Sequence, residues 1–140
     1  MIEVPGEIVE EMSAHAHREF PNEACGLLGG TITPTGAAPD ARAERFYPMR
    51  NADASSSTYR LDSKEQLQVT EEIEDKGWEI VGIFHSHTHS EAYPSETDRR
   101  LAFYPQAHYL LMSLQDREHP VLRGFTIADG RVQEQDVRSP

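Results

Sequence analysis

A single cysteine, Cys25, stands among 140 residues, so no internal disulfide can form. No apolar run approaches the roughly 18 residues that a membrane-spanning helix needs. The N-terminus lacks the basic stretch and apolar core of a secretory signal. Basic residues are scarce: 13 Lys and Arg face 24 Asp and Glu, for a formal net charge of −11. That balance argues against nucleic acid and against an anionic membrane as partners, since both favour basic patches. No internal repeat is present, and the serines at 55–57 are the nearest thing to a low-complexity tract. The expectation is a cytoplasmic protein with one domain over residues 1–140, enough for a single core.

Against these absences stands an alternation of helical and extended patterns. Val4, Ile8, Met12 and Ala16 recur every fourth residue, with Glu7, Glu10, Glu11 and Arg18 opposite, which predicts an amphipathic helix ending before Pro21. His15 and His17 fall on or beside it, as exposed or half-buried residues. Residues 25–33 read as a strand with a bend at Gly29-Gly30. A turn-rich connection over 33–40, a strand over 43–49 pairing antiparallel with the first, and a small polar loop over 51–58 follow. Tyr59 to Leu61 is a brief extended piece. A second helix spans 63–76, with Leu67, Thr70 and Ile73 as its apolar face and a solvated acidic face opposite. Residues 78–84 form a buried strand, 95–103 a short helix and 108–114 a strand. A hairpin of 122–127 and 131–136 turns about Asp129-Gly130. The class is mixed α/β, with the order of strands in the sheet left open.

The chemistry gathers between Ile80 and Asp98. His85 and His87 end the apolar strand, and a side-chain period of two puts both imidazoles on one face and Ser86 on the other. Two such imidazoles and the Asp98 carboxylate can bind one zinc ion with a fourth position left for water. Each piece also has a plainer reading. Paired histidines are common on surfaces; Ser95 and Asp98, after Pro94, read as the N-cap and acidic partner of a capping box; and a glutamate such as Glu23 at the mouth of a strand usually faces solvent.

The whole string resembles the JAMM (MPN+) metallopeptidase motif, in which a distant Glu precedes His-x-His, seven residues, Ser, two residues and Asp. The match has no gap or substitution. Further likeness lies in NEACGLLGG, Tyr59-Arg60-Leu61-Asp62-Ser63, HSHTHSEAYPSETD and Ala107-His108-Tyr109. These are similar to the bacterial Mec-type subgroup, which processes ubiquitin-like sulfur carrier proteins. The resemblance implies a JAMM/MPN-type curved mixed sheet flanked by helices and related to cytidine deaminases. A deaminase site itself would need a Pro-Cys-x-x-Cys segment, which a chain with Cys25 alone does not have. It implies one Zn2+ per chain on His85, His87 and Asp98, with Glu23 as general base and Ser95 as donor to the oxyanion. The implied reaction removes cysteine, or a short extension, from a carrier ending in Gly-Gly. Isopeptide hydrolysis from lysine is the alternative, disfavoured because the chain after Asp98 has no room for a long ubiquitin-clamping insertion. A non-catalytic MPN scaffold is disfavoured by the intact motif. Ser86, His89 and Tyr93 are candidates near the substrate, Ser86 more as a holder of backbone. Cys25 is expected to pack as a small buried side chain. The oligomeric state, a homodimer included, stays open.

Overall fold

Leu27-Leu28, Ile83-Phe84 and Leu110-Leu111 each set consecutive apolar side chains on opposite faces of a strand, so these strands need cover on both sides. The computed structural model, which describes residues 1–34 and 40–140, supplies it with helices and with curvature. In chain order the elements are β1 (Ile2–Glu3), α1 (Gly6–Glu19), β2 (Cys25–Thr33), β3 (Asp40–Met49), α2 (Ser63–Asp75), β4 (Glu79–His87), α3 (Glu96–Arg100), β5 (His108–Ser113), β6 (Val121–Ala128), β7 (Arg131–Gln135) and β8 (Val137–Arg138). The turn-rich connection expected over 33–40 lies mostly outside the described residues.

Among the described residues the eight strands form one mixed sheet in the order β7-β6-β5-β4-β2-β3-β1-β8. β4 runs parallel to β5 and antiparallel to β2. Only Asp136 separates β7 from β8, yet the two lie at opposite ends of that order, so the sheet curls until its ends are joined by one stretch of chain. Ile8, Met12 and Ala16 of α1 pack with Leu28, Phe84 and Leu110 on one face. Ile73 of α2 packs with Leu27, Ile83 and Leu111 on the other. The fold is thus a curved, nearly closed mixed sheet flanked by helices. Among the described residues no helix is long and apolar enough to cross a membrane.

β2 departs from regularity where expected, with register shifts beside Gly29 against both neighbouring strands. Gly26 is small because two strands approach closely: a Cβ there would lie 2.5 Å from the Tyr47 carbonyl oxygen and 2.7 Å from the Phe46 ring. Gly26→Ala should therefore destabilise the fold by about 1–3 kcal/mol, the usual range for an overpacked core. A thermal melt several degrees lower is the expected reading; an unchanged melt would contradict the packing.

Several expectations need correction. His15 is 5% exposed, and its Nε2–H donates to the carbonyls of Cys25 (3.0 Å) and Met49 (3.3 Å), tying α1 to β2 and β3. Leu67 is 62% exposed, so α2 anchors through Ile73 and not through Leu67. The third helix stops at Arg100, well short of 103, and none of its residues is buried. β1 and β8 have two residues each, too few to leave a pattern.

Candidate active site

β2 and β4 pair antiparallel with Cys25 opposite His85, which brings Glu23, just before β2, alongside the end of β4. Ser86, fully buried, accepts a hydrogen bond from the Ala24 N–H at its Oγ (2.8 Å), while its own N–H donates to the Ala24 carbonyl (3.0 Å). Ser86 is thus committed to backbone on the face away from the histidines. The helix signal and the ligand signal then meet in one atom. Ser95 Oγ accepts from the Asp98 N–H (3.0 Å), and Asp98 Oδ2 accepts from the Ser95 N–H (2.9 Å), a full capping box. That same Oδ2 lies 3.1 Å from His85 Nε2 and 3.0 Å from His87 Nε2, and the two nitrogens are 3.2 Å apart.

The donor chemistry decides what fits at the centre of this triangle. His87 Nδ1 lies 2.8 Å from the Glu91 carbonyl oxygen, which can only accept, so the proton sits on Nδ1. In the neutral ring the Nε2 lone pair then faces the carboxylate, a repulsion that a metal ion in the triangle or a second proton on the ring relieves. Zinc bonds of about 2.0–2.2 Å to nitrogen and oxygen place ligand atoms at this sort of separation. The His85–His87–Asp98 cluster therefore suits a metal ion.

The electrostatics favour ligation at His85 and Asp98, and a proton at His87 when no cation is bound. Burial pulls His85 below its usual range despite Asp98, keeping it in the neutral, ligating form. Burial acts likewise on His87, but Asp98 and the Glu91 carbonyl outweigh it, and the net shift is upward. Burial opposes ionisation of Asp98 too, yet His85 and His87 hold its carboxylate well below the ordinary range. Glu23 is 4% exposed, and its Oε1 has no hydrogen-bond partner among the described residues. Burial pushes its carboxyl up to about 8, with His87 lowering and Asp98 raising it. A carboxyl poised near neutrality suits proton transfer.

The other candidates lie apart. Cys25 is buried with its thiol pushed up to about 12 by burial, and is not in the cluster. His89 is exposed, edge-on to Phe20 at 6.0 Å. Tyr93 is 41% exposed and packs on Phe125 at 5.4 Å. Two features were invisible in the sequence. Tyr59 stacks on His85, ring centroids 4.2 Å apart, and Asn51 makes four hydrogen bonds from a loop with no periodic signal. A cavity of about 310 Å³ opens beside Asp98, lined by Tyr59, Leu61, Ile83, Leu101 and Tyr109 among others, with the exposed Phe103 also in its wall.

Residues 5–126 match the family of prokaryotic homologs of the JAB domain. The chain belongs to that family. It is 48% identical over 134 residues to the CysO-cysteine peptidase of Mycobacterium tuberculosis (strain H37Rv), covering 96% of this chain and 88% of that one. The desampylase of Haloferax volcanii is 37% identical over 99 residues, covering 69% of this chain and 66% of its own. The solution structure of protein DSY2949 from Desulfitobacterium hafniense superposes with a TM-score of 0.88 at 41% identity, covering all of this chain and 93% of that one. The chain is a peptidase of this family.

Proposed function

We propose that the chain is a zinc-dependent peptidase that removes cysteine, or a short extension, from behind the Gly-Gly tail of a ubiquitin-like sulfur carrier protein in the cytoplasm. One observation carries the reading: His85 Nε2, His87 Nε2 and Asp98 Oδ2 converge within 3.2 Å of one another. The similarity to a CysO-cysteine peptidase over 96% of the chain supports the choice of substrate.

His85, His87 and Asp98 would hold the Zn2+. When bound, the ion supplies Lewis acidity and makes a water acidic enough to yield hydroxide near pH 7. Glu23, buried and with its carboxyl raised to about 8, would serve as the base toward the attacking water and as the proton donor to the leaving amine. Ser95 turns its hydroxyl hydrogen to the developing oxyanion while its lone pair stays with the Asp98 N–H. The tail has a strand to pair with. Asn51 and Leu61 form an antiparallel bridge, and the Ala52 N–H donates to the Arg60 carbonyl (2.8 Å). Strand alternation then turns the Leu61 N–H and carbonyl away from the Asn51 strand, and at that edge, beside the cavity Leu61 lines, an extended peptide would add by β-augmentation. The apolar lining suits a side chain upstream of the glycines.

Intact-mass measurement of a carrier ending in Gly-Gly-cysteine, incubated with the enzyme, tests this. The expected result is loss of one cysteine residue. Likeness to a desampylase favours a second reading, isopeptide cleavage from lysine; an intact carrier alongside a cleaved lysine conjugate would select it. If neither substrate is cut by zinc-loaded protein, the reading fails.

A further inference from the structure

We propose that Asn51 is a positioning residue that links the tail-binding strand to Glu23, so that a filled groove sets the base. This rests on the reading of Glu23 as base and of the Leu61 edge as tail site.

Asn51 is 7% exposed. Its Nδ2 donates to the carbonyls of Glu23 and Thr58, each at 3.0 Å. Its Oδ1 accepts from the N–H groups of Asp53 (3.0 Å) and Arg60 (3.1 Å). An amide has two donors and one oxygen with two lone pairs, so this side chain is fully used. One end of that set is the peptide of the base; the other is the strand that lines the cavity. The same loop holds Glu23 again, since its N–H donates to the Ser55 carbonyl (2.8 Å). It reaches β4 as well: Thr88 Oγ1 donates to the Ser56 carbonyl (3.0 Å), and Tyr59 stacks on His85. Glu23's own carboxyl oxygen Oε1 has no hydrogen-bond partner among the described residues, so its aim depends on where the peptide is held.

A peptide that pairs with Leu61 fixes the strand, and through Asn51 it fixes the Glu23 carbonyl. Binding energy gained far from the scissile bond is thereby directed into orienting the base, which raises kcat and not affinity alone. A loop that merely folded the site would help every substrate equally.

Two variants separate these cases. Asn51→Asp keeps the oxygen that accepts from Asp53 and Arg60 but turns a second oxygen toward the Glu23 and Thr58 carbonyls. Asn51→Ala removes both. Wild-type enzyme should show a kcat about tenfold higher on the whole carrier than on a Gly-Gly-cysteine stub without the upstream tail, the worth of one or two hydrogen bonds. Asn51→Asp should bind zinc as the wild type does and keep the KM gap between the two substrates, but lose the kcat gap. Amide exchange at Glu23 and Ala24 should quicken about tenfold in it while Leu110 in the core is unchanged. If neither variant folds, wild-type exchange in denaturant gives the answer: the Glu23, Asp53 and Arg60 amides should open on one isotherm. An Asn51→Asp enzyme that retains the kcat gap and ordinary Glu23 exchange overturns the proposal, as do separate isotherms. Wild-type protein that cuts no carrier but shows the coupled exchange overturns only the function proposed above.

Discussion

Replacing His85 or Asp98 with alanine should empty the site of zinc and take turnover to background. Loss of an outer hydrogen-bond partner of a ligand already costs about 10–100-fold in metal affinity or activity, and loss of a ligand should exceed it. The two variants should differ in stability. His85→Ala leaves a hole beneath Tyr59, whose ring stacks on the imidazole at 4.2 Å. Asp98→Ala removes the acceptor of the Ser95 N–H and so half of the capping box, worth about 1 kcal/mol. Asp98→Asn keeps an oxygen for that N–H but gives up the charge, so it should retain the cap while binding zinc far more weakly. Metal analysis and a melt on all three check this. An alanine variant that holds stoichiometric zinc and full activity would overturn the assignment.

Glu23→Gln should keep the metal and lose turnover by about 10²–10⁴, the usual contribution of a positioned acid–base group. Glutamine has nearly the same shape and leaves the three converging donor atoms untouched. Full activity in this variant would mean that another group moves the proton. The substitution also has a signature in stability that needs no substrate. Burial lifts the Glu23 carboxyl from 4.5 to about 8, so the folded chain prefers its protonated form. A raised acid stabilises the fold fully below about 4.5 and loses that contribution as pH rises through about 8. In chelator-treated protein, the melting difference between Glu23→Gln and wild type should therefore grow in the variant's favour across that window. A constant difference would mean that Glu23 is better solvated than its burial implies.

Local pattern carried much of this molecule. The fourfold spacing of Ile8, Met12 and Ala16 marked α1, though Val4, the first of that series, lies before it; the run from Cys25 marked β2 to its last residue, and Asp129-Gly130 marked the turn between β6 and β7. The His-x-His pair was readable because a strand has period two, so sequence spacing alone sets the two rings on one face. What stayed hidden depends on distance along the chain. His15 sits on an otherwise ordinary helix, and only β2 and β3 beneath it give its ring two carbonyls to bind. Asn51 stands among alanines and serines with no period, and its partners extend back to Glu23. Ser95 and Asp98 posed a false choice, because capping and convergence on the histidines use the same carboxylate oxygen.

The strand order has a further meaning for how the molecule comes apart. β2 and β4, which hold Glu23 and the two histidines in place, lie in the interior of the order, whereas the stretch from Arg131 to Arg138 stitches its two outer margins. Partial opening should begin at that stitch, where strands are short and solvent-facing, and unzip inward from both sides. Glu23 and the two histidines, the proposed carriers of the chemistry, sit at the last place the unravelling would reach.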